Sequence, residues 1–142
     1  MKRFMLSLAA ALALASALPA GAQAPRPAGM DRLLIQVSDG DPHRWALALS
    51  NARNVQLALG KDKVRIEIVA YGPGIRMLVA DSPASAQVNQ ALDDGVRLVA
   101  CENTMQTERL TRNDMIYGID YVKTGLVEIM DRVKEGWVYV RP

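Results

Sequence analysis

The stretch Val96-Arg97-Leu98-Val99-Ala100-Cys101-Glu102-Asn103-Thr104-Met105 decides how this chain reads. It opens as a short apolar run and reaches the only cysteine of the sequence. A polar segment suited to starting a helix follows at once. A run of this kind fits a strand covered on both faces. In an open α/β sheet, ligands meet the protein beyond the carboxyl end of such a strand, at the mouth of the next helix. Cys101 is therefore the first candidate for a functional residue.

The flanking sequence repeats the pattern. Arg32 to Val37 is a nearly continuous apolar strand. Ser38 to Asp41 turns the chain, Asp41 can cap a helix, and Pro42 suits its first position. Trp45, Ala48, Leu49, Ala52, Val55 and Leu59 then form a stripe at helical spacing, which Gly60 ends. Val64 to Ala70 is a second strand, followed by the turn Gly72-Pro73-Gly74. Ile75 to Val79 reads as a helical turn. Ser82 and Pro83 offer another cap and start, with Val88, Ala91 and Leu92 on the apolar face of the helix and Gly95 at its end.

After the third strand, Glu102 to about Leu110 reads as helix and Thr111 to Asp114 as a polar break. Tyr117 to Lys123 suits a short fourth strand. Thr124 can cap a last helix whose inner face is Leu126, Ile129, Met130 and Val133. Gly136 closes it, and Trp137 to Val140 is a fifth strand. Strands alternating with helices imply a parallel sheet with helices on both faces. For five strands the expected architecture is a flavodoxin-like three-layer sandwich of strand order 2-1-3-4-5. Its switch point would join the loops after strands one and three. That order would bring His43, the only histidine, towards Cys101.

Length and composition fit one domain. The chain has 142 residues, half of them hydrophobic, enough for one real core. Lys2 and Arg3, the apolar run Phe4 to Leu18 and the small residues Ala20-Gly21-Ala22 have the three parts of a secretory signal peptide. Cleavage after Ala22 is preferred to cleavage after Ala24, which would leave Pro25 beside the cut bond. Residues 23–30 then form a flexible lead-in, with the α/β domain over 31–142. The whole chain has 17 basic and 15 acidic residues. Removing the signal peptide takes two basic residues and leaves a neutral chain. No basic block or face remains, so nucleic acid is not an expected partner. No second apolar stretch is long enough to span a membrane. The expected compartment is the periplasm. Export permits disulfides, but a single cysteine is a free thiol, an intermolecular partner, or a small buried residue.

The chain as a whole resembles the DsrE/DsrF-like family, especially its exported branch. The resemblance rests on Cys101-Glu102-Asn103-Thr104-Met105 after an apolar strand and on Asp39-Gly40-Asp41-Pro42 after the first strand. Gly72-Pro73-Gly74 and the closing Glu135-Gly136-Trp137-Val138-Tyr139-Val140-Arg141-Pro142 fit as well. It implies a three-layer fold and homo-oligomers, often trimers or hexamers. Some cytoplasmic relatives relay sulfur as a persulfide on the cysteine after the third strand, here Cys101, between donor and acceptor proteins. Export would separate this chain from the cytoplasmic desulfurases that load such carriers.

Each candidate has a plainer reading beside it. A thiol near a helix N-terminus feels unpaired amides that favour the thiolate, whereas Glu102 opposes ionisation. Free cysteine is also often simply buried. Asn103 and Thr104 can bind a ligand or cap the helix. His43 can exchange protons, or be a surface residue at a helix start. Asp39 and Asp41 can bind a cation, although turn and cap chemistry accounts for both. One His and one Cys do not make a transition-metal site in one subunit. Trp45, Tyr71, Tyr117 and Tyr121 suit a core or a subunit interface better than a pocket. The glycine turn lacks phosphate-binding spacing, and the loop after the first strand lacks the hydroxyl run of flavodoxins. No cofactor, flavin included, is expected. Two function classes remain: a sulfur carrier acting through Cys101, and a non-catalytic oligomeric module that binds a small ligand or partner.

Overall fold

The computed structural model describes residues 29–142. The expected signal peptide and the lead-in up to residue 28 lie outside the described residues. Five strands alternate with helices: β1 Asp31–Val37, β2 Val64–Ala70, β3 Arg97–Cys101, β4 Asp120–Val122 and β5 Val138–Val140. The α-helices are α1 Pro42–Leu59, α2 Ser85–Asp93, α3 Glu102–Thr107 and α4 Gly125–Lys134. The Asp41 carboxylate caps α1 by accepting from the His43 N–H at 2.9 Å, with Pro42 in the first turn. Ser82 instead serves the turn before α2. Its hydroxyl accepts from the Ala84 N–H at 3.2 Å, and α2 begins at Ser85.

All strand pairs are parallel, and helices cover both faces, so the three-layer α/β class is the expected one. The strand order, however, is β4-β3-β2-β1-β5. β1 lies between β2 and β5, and β3 lies between β2 and β4. This corrects the order 2-1-3-4-5, in which β1 would pair with β3. β2 therefore separates the loops after β1 and β3.

The alternation of side chains assigns each face. Ile35 and Val37, Ile66, Ile68 and Ala70, and Leu98 and Ala100 face the larger core under α1, α2 and the helical turn at Gly72–Leu78. Trp45, Leu49, Val88 and Met105 close that core. The other face carries Leu34, Gln36, Glu67, Val69, Tyr71, Arg97, Val99 and Cys101, and α4 packs across it. Its apolar centre is small: Leu34, Val69, Val99 and Ile129. Burying such a side chain is worth about 1.5–3 kcal/mol, so apolar contact holds α4 far less firmly than it holds α1.

The rotation of α4 corrects a second expectation. Only Gly125 and Ile129 of this helix are buried. Leu126, Val127, Met130 and Val133 are each about half exposed. The face turned to the sheet carries Glu128 and Arg132, which meet Glu67 and Arg97. A buried charge must find partners, and Glu67 is fully buried. The polar pairs thus set the rotation, against the helix's apolar stripe.

Candidate functional site

Cys101 is the last residue of β3 and the residue before α3. It is 4 % exposed. On the α4 side of the sheet, its Cβ lies beneath Gly125, the first residue of α4. A Cβ built at Gly125 would stand 3.2 Å from the Cys101 Cβ and from Val69 Cγ1, and 3.4 Å from the Tyr71 Cβ. Two helix N-termini therefore converge on one thiol.

Burial pushes the Cys101 thiol up, but hydrogen-bond donors outweigh it. These are the Thr104 hydroxyl and the backbone N–H groups of Gly125, Thr104 and Asn103. Together they hold the thiol below its ordinary value. In the thiol form, Sγ has the Lys123 carbonyl 4.0 Å away as a weak acceptor. Glu102 is drawn off to the side, where its carboxylate accepts from Arg112 Nη2 at 2.7 Å.

Asn103 and Thr104 do more than start a helix. The Thr104 hydroxyl accepts the Gly72 N–H at 3.0 Å, which ties α3 to the loop after β2. Its own hydrogen is left for the Cys101 sulfur. Asn103 Nδ2 donates to the Thr124 hydroxyl at 3.0 Å, and the Asn103 N–H donates to the Lys123 carbonyl at 3.2 Å. These bonds fix the start of α4 over the thiol. Thr124 and Gly125 escaped the sequence reading as site residues. The available signal was Gly125 itself, because glycine at a helix start often marks a close backbone approach.

The other predicted residues lie after β1, with β2 between them and β3. The Asp41 carboxylate is occupied as the α1 cap. The Asp39 carboxylate pairs with Arg141 at 3.3 Å, and its carbonyl accepts from Trp45 Nε1 at 2.6 Å. His43 is exposed on the first turn of α1. The group nearer the thiol is Tyr71, at the end of β2. Its hydroxyl accepts from Gln36 Nε2 at 2.6 Å, and Gln36 Oε1 accepts from the Tyr139 hydroxyl. A polar row thus crosses this sheet face from Cys101 towards β5. Of the remaining aromatics, Trp45 is core, Tyr121 lies under Arg112 at 4.3 Å, and Tyr117 is 97 % exposed.

Residues 31–142 match the DsrE/DsrF-like family. A solved protein of unknown function from Methanobacterium thermoautotrophicum is similar at 38 % identity. The match covers 79 % of this chain and 99 % of that one, with a TM-score of 0.75. A second protein of unknown function, from Bacteroides thetaiotaomicron, shares the fold at 15 % identity, with a TM-score of 0.59 over 79 % of this chain and 95 % of that one. No curated protein matches the chain.

Proposed function

The chain belongs to the DsrE/DsrF-like family, and from that premise we propose that it is a periplasmic sulfur carrier that holds sulfane sulfur as a persulfide on Cys101. The observation behind this reading is the set of donors around the sulfur: the Thr104 hydroxyl and three backbone amides from two helix starts. A thiolate is the attacking form, and a persulfide is an anion that needs the same donors.

The transfer balances without an outside oxidant. The Cys101 thiolate attacks the terminal sulfur of a polysulfide or the sulfane sulfur of thiosulfate. A new S–S bond forms, and the old one breaks with its electron pair on the departing shorter polysulfide or sulfite. Attack on the outer sulfur by an acceptor thiolate then regenerates the Cys101 thiolate. Because Cys101 is almost fully covered, small sulfur species suit it best as donors. Lys123 to Gly125 and the start of α3 are what cover the sulfur. Asn103 and Thr104 hold that cover in place, whereas Asp39, Asp41 and His43 sit beyond β2, at the end of β1, for any larger partner.

The test is intact mass after incubation with polysulfide or thiosulfate. The expected result is a gain of one sulfur that is absent in Cys101→Ser. A thiol that stays unmodified and also resists alkylation in the folded protein would move the reading to a non-catalytic binding module. In either case we propose a homo-oligomer, trimer or hexamer, built on the outward stripe of α4. Leu126, Met130 and Val133 lie at helical spacing and are each about half exposed. Light scattering showing only monomer across micromolar concentrations would count against it.

A further inference from the structure

Glu67 sits in the middle of β2 with no solvent exposure. Its Oε2 accepts from Arg97 Nη1 at 2.7 Å and from Arg132 Nε at 2.9 Å. Its Oε1 is buried without a hydrogen-bond partner. Glu128 Oε1 accepts from the same two guanidiniums, Arg97 Nη1 at 2.8 Å and Arg132 Nη2 at 2.9 Å. Each arginine carries one more carboxylate: Asp120 on Arg97 at 2.6 Å, and Glu135 on Arg132 at 3.0 Å.

Four carboxylates thus share two guanidiniums. With all four ionised, the cluster would hold two excess negative charges, beside a buried oxygen that nothing solvates. Buried charge without compensation is costly. One proton on Glu67 answers both problems. It removes a charge, leaves the unpartnered oxygen on a neutral group, and gives Glu67 a hydrogen to donate, with Glu128 as its carboxylate partner inside the same arginine clamp.

We propose that Glu67 and Glu128 form a buried proton site that fastens α4 to the sheet, so that release of the proton loosens the helix whose first amide serves Cys101. Gly125 and Glu128 stand one turn apart on a helix of 10 residues, and a short helix moves as a rod. Few apolar contacts hold this rod: Ile129 is the one α4 side chain in the apolar cluster of this face. A change in how Glu128 and Arg132 are held therefore reaches Gly125. The coupling does not depend on what the thiol carries.

The charged groups around the pair come from every neighbouring element. β3 supplies Arg97, β4 supplies Asp120 through Arg97, and α4 supplies Glu128 and Arg132, with Glu135 just beyond. β1 presents only apolar Leu34 opposite Glu67, and Trp137 stacks on Arg132 at 5.3 Å. Lys61, Asp62, Arg65, Asp93 and Asp94 line the open cavity at this end of the sheet, where solvent screens them. Burial pushes Glu67 up against the pull of Arg97 and Arg132. Burial also pushes Glu128 up, but Arg97, the proton donated by Glu67 and Arg132 together bring it down. The two carboxylates titrate as one coupled unit.

The test uses the full chain labelled at its glutamate carboxyl carbons, with Glu67→Gln for assignment. The Glu67 carboxyl is expected to titrate above the ordinary value of about 4.3. The Gly125 amide resonance should shift over the same pH interval and stay flat in Glu67→Gln. That variant carries no charge and can donate to Glu128, so below the pH interval in which Glu67 titrates it should keep the wild-type urea midpoint. A Glu67→Gln protein that unfolds or loses much of its midpoint at that pH would show that a proton on Glu67 is not what fastens the helix, and would overturn the proposal. So would a Glu67 carboxyl titrating at or below the ordinary value in the wild type. A Gly125 amide that ignores the titration would overturn the coupling to α4.

Discussion

Gly125→Ala probes the packing of α4 on Cys101 most directly. The added Cβ would stand 3.2 Å from the Cys101 Cβ, 3.2 Å from Val69 Cγ1 and 3.4 Å from the Tyr71 Cβ. Favourable carbon contacts lie near 3.5–4.0 Å, so each neighbour must yield by a few tenths of an ångström. Val69 and Cys101 belong to central strands and cannot retreat far. The helix must lift instead. Overpacking of this kind costs about 1–3 kcal/mol. Replacing glycine in a helix returns up to about 1 kcal/mol, and less at a first position. The net expectation is a loss of roughly 0.5–2 kcal/mol, read as a lower urea midpoint with an unchanged slope. Lifting α4 also withdraws the Gly125 N–H from the sulfur. The midpoint of Cys101 alkylation against pH should therefore move up. A variant as stable as wild type, with an unmoved thiol midpoint, would show that α4 does not start on top of Cys101. The two-helix account of the thiol would then fail.

Three further outcomes are expected. Thr104→Val removes the hydroxyl that donates to Cys101 and accepts from Gly72, so the thiol midpoint should rise and alkylation at neutral pH should slow; an unchanged pH profile would remove Thr104 from the site. Gly74→Ala would drive a Cβ into the Val37 carbonyl, a backbone group of β1 that cannot step aside, and should cost more than about 3 kcal/mol in urea unfolding; a mild loss would contradict the packing of the Gly72-Pro73-Gly74 turn on β1. The donors around Cys101 hold its folded thiol below its unfolded value, so the unfolded chain binds the extra proton between the two values and stability rises with pH through that window, the gain being lost as pH falls back through the folded value; urea midpoints of wild type and Cys101→Ser taken on either side of the window should diverge in favour of wild type at the higher pH, and parallel curves would refute the shift.

The place of Cys101 was legible because two local signals agree. An apolar run ends on it, and a polar, helix-starting segment follows, so its position at the end of a strand needs no tertiary information. What surrounds the sulfur was not legible. Gly125 lies 24 residues further on, and its approach depends on which way α4 faces. The helix offers an apolar stripe of Leu126, Met130 and Val133, which a reading by periodicity turns inward. The structure turns inward Gly125, Glu128, Ile129 and Arg132. That choice follows from Glu67, a single charged residue inside an apolar strand. A lone buried carboxylate recruits cations, and Arg97 and Arg132 follow it.

The strand order turns on length and polarity rather than on periodicity. An order of 2-1-3-4-5 would place β2 at an edge. Val64 to Ala70 is a seven-residue strand whose side chains are buried at every position but Arg65, and at an edge one whole flank of its backbone would go unpaired. The same order would place β4 in the interior, between two neighbours. Asp120 to Val122 is only three residues long and half exposed, and it follows the exposed turn at Tyr117-Gly118. Val138 to Val140 is equally short and exposed. Short polar strands blunt an edge, whereas long apolar strands need partners on both sides. The observed order puts the two shortest strands outside and the three apolar ones inside. The consequence reaches the site. With β2 central, the loop after it stands next to the end of β3. The third partner of Cys101 and Thr104 is then the Gly72-Pro73-Gly74 turn with Tyr71, rather than the turn that carries Asp39, Asp41 and His43.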